Sequence, residues 1–225
     1  MPRKPAVPED LSAKKALALE VIARLKKEYP DAACTLDYDH AWQLLVSVRL
    51  AAQCTDARVN IVVEDLFAKY PSVAALAAAE PEEIEAIVKP CGLGHSKARD
   101  ISACMRMLRD KYDCKVPTTF EELLSLPGVG RKSANLIMGD VFGKPAIVTD
   151  THCIRLFNKI GLVDGIKEPQ KVEMALWKII PPEEGSDLCH RFVMHGRAVC
   201  NARKPECEKC CLRDICRYAR ENAAT

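Results

Sequence analysis

Five cysteines crowd into Cys200 to Cys216, and four of them, Cys200, Cys207, Cys210 and Cys216, follow the pattern C-x6-C-x2-C-x5-C. Four thiolates on one short, turning segment can close around a single compact centre, which a cubane iron-sulfur cluster and a tetrahedral zinc both demand. Structural zinc sites usually pair two short C-x2-C knuckles, whereas here only Cys207 and Cys210 are so spaced. That asymmetry leans toward a [4Fe-4S] cluster, with zinc as the rival. Cys211 adjoins a ligand position and reads as a spare. The loop Asn201 to Glu206 carries Arg203 and Lys204, and ligation at both ends would hold the two cations in place for a phosphate backbone. An electron-transfer role would need a redox partner, and the chain has neither a second cluster motif nor a flavin or nicotinamide fingerprint.

A second chemical stretch is LPGVGRKSANLIMGDVFGKPAIVTD, Leu126 to Asp150. Leu126 to Gly130 reads as a tight turn in which Gly128 and Gly130 can adopt positive φ, followed by a helix start. Backbone amides at such a turn and helix N-terminus form an electropositive nest suited to a phosphate. Arg131 and Lys132 follow at once, with Lys132 expected about one turn into the helix. The alternative is an ordinary helix-helix turn with Lys132 as a solvated amine. Asp150, just before Thr151 and His152, is placed either to accept a proton or to cap a helix, and both roles are compatible. A lone histidine after a cap is more often structural, so His152 is left out of catalysis.

The elements that must position these residues are helical. Leu17, Val21, Ile22 and Leu25 recur at helical spacing after Ser12, a candidate N-cap, and residues 1 to 11 read as a lead. Residues 41 to 52 form a more apolar helix, and Thr55 or Asp56 caps a third. Two short helices fill 72 to 89, and Ser96 starts a longer one ending near Lys111. Thr118 with Glu121 suggests a capping box for a short helix to Ser125. Helices continue at Cys153 to Ile160, Pro169 to Ile180 and Asp187 to Val199, and Ala146 to Thr149 is the only strand candidate. The fold class is therefore all-α.

The chain of 225 residues is 48% hydrophobic and 28% charged, with no apolar run long enough for a bilayer. The N-terminus, MPRKPAVPED, has prolines and charges where a signal peptide carries an apolar core, so an intracellular, cytoplasmic location without membrane contact is expected. The net charge of +2 says little, but Gly196 to Arg220 holds seven Lys or Arg against three acids, a basic end that could face a polyanion. The other seven of the twelve cysteines are scattered through apolar or helical contexts, as buried free thiols usually are.

LPGVGRKSAN with Lys132, the aspartate of TDTH and the four-cysteine tail together resemble the endonuclease III family of base-excision DNA glycosylases, over residues from about 12 to 219. AAQCTD resembles the segment whose glutamine enters the gap left by a flipped nucleotide, which maps to Gln53, and CGLGHSKA resembles the duplex wedge, which maps to Leu93. The related adenine glycosylases normally lack the lysine and carry a catalytic acid near the second helix. Here Val48 to Asp56 holds no glutamate, and no long domain follows Cys216. Thr149 departs from the family pattern, in which an aliphatic residue commonly precedes the aspartate.

The resemblance implies a two-domain helix-hairpin-helix DNA glycosylase fold with a [4Fe-4S] loop. A six-helix barrel would span 34–144, and residues 1–33 would pack with 145–225 around the cluster. It further implies a bifunctional DNA glycosylase and AP lyase, expected as a monomer, acting on duplex DNA with oxidised pyrimidines or abasic sites. Lys132 would attack C1′ and Asp150 would assist. Gln53 and Leu93 would fill the vacated space, with Gly128, Gly130, Arg131, Arg203 and Lys204 on the phosphates. A nucleophilic lysine must be neutral, which burial and a neighbouring cation such as Arg131 promote. The catalytic pair would then depend on how the domains dock. The alternatives are a monofunctional glycosylase using Asp150 and water, and a non-catalytic DNA-binding module that needs neither Lys132 nor Asp150.

Overall fold

The computed structural model describes residues 11–222, so the first ten residues of the lead lie outside the described residues. The chain divides into two compact units, Cys34–Lys144 and Met1–Ala33 with Pro145–Thr225. Among the described residues the regular structure is helical, and no helix is long and apolar enough to cross a membrane.

The continuous unit carries α2 (Ala41–Leu50), α3 (Asp56–Lys69), α4 (Val73–Ala78), α5 (Pro81–Val88), α6 (Gly94–Tyr112), α7 (Phe120–Ser125) and α8 (Arg131–Asp140). α6 packs against α4 and α5, and α2 against α3 and α8. Leu44 and Leu50 of α2, Val59 and Leu66 of α3, Ile84 of α5 and Met105 and Leu108 of α6 are fully buried. The seven-residue step from Val59 to Leu66 and the three-residue step from Met105 to Leu108 return to one helix face, as a one-sided apolar stripe needs. Thr55 caps α3 by accepting from the Arg58 amide, as expected. The cap of α7 is Thr119, whose hydroxyl accepts from the Glu122 amide, one residue beyond the Thr118 and Glu121 expected. The same spacing fits both registers, and burial of Leu123 selects the one observed.

The second unit carries α1 (Leu11–Glu28), α9 (Thr151–Ile160), α10 (Pro169–Leu176), α11 (Gly185–Ala198) and α12 (Arg217–Asn222). α1 already includes Ser12 in its first turn, so Ser12 is not its cap. α9 packs on α11 through Phe157 and Phe192, whose rings meet edge to face at 4.6 Å, and α1 and α12 pack on α11 and α9. The strand candidate Ala146 to Thr149 forms no strand but runs buried to Asp150. It passes so close to α11 that a Cβ at Gly185 would stand 2.4 Å from the Ala146 carbonyl oxygen. Side-chain burial replaces sheet pairing here.

Candidate active site

In the continuous unit, the turn before α8 closes with the Val129 amide donating to the Leu126 carbonyl. Gly128 takes φ +76°, and a Cβ there would lie 2.9 Å from Asp100 Cβ and 3.2 Å from Arg49 Cδ. The turn thus sits directly on an ion pair joining α2 to α6, in which Arg49 Nε donates to Asp100 Oδ2 at 2.7 Å. Gly130 is different from expectation: its φ is −101°, it caps α8, and a Cβ would meet nothing within 4 Å. Its lack of a side chain leaves open space in front of the first-turn amides of α8, which have no intrahelical partners.

Lys132 is the second residue of α8, nearer the nest than one full turn. Its side chain is exposed, not buried as expected of a nucleophilic amine. Arg131 stacks its guanidinium over the Phe120 ring at 4.9 Å. Gln53 and Leu93 are both exposed, Leu93 by 57%, and both hold left-handed backbone conformations at φ 58° and 51°. A non-glycine residue at positive φ costs about 1 kcal/mol or more, so two such residues at exposed apices mark loops held by something stronger. Leu93 is the N-cap of α6, which begins at Gly94 rather than at Ser96.

In the other unit Asp150 caps α9, its Oδ1 accepting from the Cys153 amide at 2.7 Å. A carboxylate has a second oxygen, so capping does not exhaust it. Buried Thr149 and the Gly185 contact fix the approach of the chain to this cap. His152 Nδ1 lies 3.3 Å from Arg155 Nη2, and Arg155 donates to the carbonyls of Gly196 and Cys200, at 3.1 and 2.7 Å, so this group ties α9 to the cysteine segment.

Cys200, Cys207, Cys210 and Cys216 line one pocket with Lys159, Val199 and Tyr218, around roughly 280 Å³ of space that includes open solvent. Among the described residues no three His, Cys, Asp or Glu side chains converge on a single ion position. Cys211 is not part of the lining. All twelve cysteines are free, and of the scattered ones Cys91, Cys104, Cys153 and Cys189 are buried, whereas Cys114 is exposed and Cys34 and Cys54 are half-buried. Burial pushes the Cys200 thiol up and the Cys210 thiol up to about 12, so thiolates there call for a cationic centre to offset the burial. His195 is buried and pushed down to about 4, and is neutral. Its Nδ1 lies 3.0 Å from the Tyr29 hydroxyl and its Nε2 lies 3.3 Å from Cys210 Sγ. With the hydroxyl donating to Nδ1, the ring proton sits on Nε2 and points at the sulfur.

Arg203 and Lys204 are exposed on the loop after Cys200. The polypeptide itself closes that loop, since the Glu206 amide donates to the Val199 carbonyl at 2.9 Å and the Lys204 amide to Asn201 Oδ1 at 2.7 Å. Both cations border one open concavity with Arg213 and Tyr218.

Residues 46–182 match the HhH-GPD superfamily of base excision DNA repair proteins. The chain is 44% identical over 207 residues to Endonuclease III of Synechocystis sp., covering 92% of this chain and 94% of that relative. The chain belongs to the endonuclease III family. Its structure is similar to a non-covalent Endonuclease III–DNA complex, with a TM-score of 0.88 and 40% identity over 94% of this chain and 99% of that one. A trapped Endonuclease III–DNA covalent intermediate, described as an estranged-adenine complex, gives 0.87 and 40% over 93% and 98%. The all-α helix-hairpin-helix glycosylase fold of the endonuclease III family is therefore this chain's fold. Sequence reasoning missed Lys97, Arg49 and the Tyr29–His195 pair. In each, a polar side chain finds a partner far along the chain; for Lys97 and Arg49 the only available signal was a charged residue at a helical position otherwise facing the core, and nothing in the sequence marked the Tyr29–His195 pair.

Proposed function

We propose that this chain is a bifunctional DNA glycosylase and AP lyase that excises oxidised pyrimidines from duplex DNA and cleaves the strand by β-elimination. The observation that carries the reading is the likeness, over nearly the whole chain, to an Endonuclease III trapped covalently on DNA, together with a lysine in the first turn of the helix that follows the hairpin. The substrate is a flipped-out nucleotide, and the enzyme acts where chromosomal DNA lies, in the cytoplasm.

The Lys132 amine donates its electron pair to C1′, and the glycosidic bond breaks with its pair leaving on the base. Loss of a proton from nitrogen and opening of the sugar give an imine. Removal of a C2′ proton then expels the 3′ phosphate as the C3′–O bond breaks. Asp150 accepts the proton from Lys132 or stabilises positive charge on the sugar through the oxygen not used in capping. Gln53 and Leu93 fill the gap left by the flipped nucleotide. The amides around Gly128, Gly130 and Arg131 grip a nearby phosphate, and Arg203 and Lys204 a more distant one.

Cys200, Cys207, Cys210 and Cys216 line one pocket and are the residues that would hold a [4Fe-4S] cluster, and their spacing, with a single C-x2-C pair, supports that cluster over a structural zinc. Ligation by these four thiolates would hold both ends of the segment carrying Arg203 and Lys204.

Borohydride should trap wild-type protein on a duplex with an abasic site or an oxidised pyrimidine, and Lys132→Gln should abolish trapping while leaving binding intact. Unimpaired trapping by Lys132→Gln removes the nucleophile assignment, and base release without trapping or strand cleavage points to a monofunctional enzyme.

A further inference from the structure

Lys97 is fully buried, with 0% of its surface exposed, which is unusual for a lysine. It stands one turn into α6, and its ammonium donates to two main-chain carbonyls, those of Leu50 and Cys91, each at 2.8 Å. Leu50 ends α2 and opens the segment that carries Gln53, and Cys91 leads into Leu93. The same segments bring the Cys54 and Cys91 thiols together beside the amine. Burial lowers the Lys97 amine from its ordinary range, and the two thiols partly oppose that.

Burying an ammonium is costly, and salt-bridging it to a carboxylate is the usual compensation. Here it is spent on two carbonyls that terminate the very loops whose apices hold left-handed, non-glycine conformations. We propose that Lys97 is a positioning residue that holds the Gln53 and Leu93 loops at a fixed separation, so that both enter the duplex as one preformed unit. This rests on the glycosylase reading above and on the insertion roles of Gln53 and Leu93. Without the amine, both carbonyls lose a buried partner, and the strained apices relax toward ordinary backbone conformations.

The test uses the full-length holoenzyme and a duplex with a stable abasic analogue opposite 2-aminopurine, whose fluorescence rises when it unstacks. Lys97→Met keeps the length of the side chain, and Lys97→Gln retains a donor; thermal melting shows whether each folds. The expected result for the folded variants is a fluorescence rise, and excision from duplex DNA, reduced about tenfold for Lys97→Met and less for Lys97→Gln. Borohydride trapping on a single-stranded abasic oligonucleotide, where no partner strand must be parted, should stay at the wild-type level. In a Gln53→Ala/Leu93→Ala background, adding Lys97→Met should cost nothing more, because the lysine acts only through those two apices. An unchanged duplex signal in Lys97→Met, an equal loss on single-stranded DNA, or an additive loss in the triple variant overturns the proposal. Wild-type protein that neither traps nor unstacks the probe overturns the glycosylase reading itself, and the role of Lys97 with it.

Discussion

The hairpin with its neighbouring loops and the cysteine segment are both built to present backbone and cations, yet they are held in different ways. Around α8 the polypeptide supplies its own fastenings: the Arg49–Asp100 pair beneath Gly128 and the Lys97 ammonium beneath the Gln53 and Leu93 loops. Between Val199 and Cys216 the regular structure is one 3-10 turn, Cys207–Lys209, and the described fully buried apolar side chain is Leu212. Its fastenings are a few backbone hydrogen bonds, the Arg155 donation to the Cys200 carbonyl, the Arg24 guanidinium on the Cys211 carbonyl and Asp214, and four thiols around an open pocket. A region with a core of its own can hold strained backbone, whereas a region without one borrows order from what its thiols bind.

Breaking that contrast begins with the metal. Removing iron by chelation under oxidation should weaken duplex binding by about tenfold or more, through release of Arg203 and Lys204. The two tryptophans separate the regions: Trp42 lies in the continuous unit and Trp177 in the other. In single-tryptophan variants, iron loss should lower the melting transition reported by Trp177 and leave the Trp42 transition in place. Equal shifts of both would show that the hairpin region also depends on the cluster. Anaerobically purified protein should carry about four irons per chain, and zinc alone would remove the cluster assignment.

Gly128→Ala should destabilise the protein by about 1–3 kcal/mol, since the position needs φ +76° and the added carbon meets Asp100 at 2.9 Å. Denaturant melts followed by Trp42 would check this, and a neutral result would mean the turn is not seated on the ion pair as described. Replacing Arg203 or Lys204 with alanine should leave stability unchanged and reduce the salt slope of binding by about one each. A slope that does not move would take that residue off the phosphate backbone.

The smallest effect concerns Asp164, which accepts from Lys14 of α1 and Arg217 of α12. Burial would raise its carboxyl, but the two cations outweigh this and hold it below the usual carboxylate range. A lowered folded value means that the pair's stabilisation is complete above the ordinary Asp value and is lost as pH falls through the lowered one. The melting difference between wild type and Asp164→Asn should therefore be small at pH 7 and vanish in acid, because half-exposed pairs are screened. A difference that grows on acidification would reverse the assigned sign.

Much of the frame was legible in residue order alone. Helical spacing of apolar side chains located most helices, Asp150 and the pair Thr55 or Asp56 announced caps because short polar side chains satisfy first-turn amides locally, and the cysteine spacing picked out the four thiols that line one pocket. Those signals act over a few residues, which is why they survive without a fold. What only the tertiary structure decided depends on partners far along the chain: the 47-residue reach from Lys97 to the Leu50 carbonyl, the choice of Thr119 over Thr118 by burial of Leu123, and the exposure of Lys132. Burial and long-range hydrogen bonding are properties of the packed chain, and the sequence does not show which carbonyls a lysine at position 97 would be brought to.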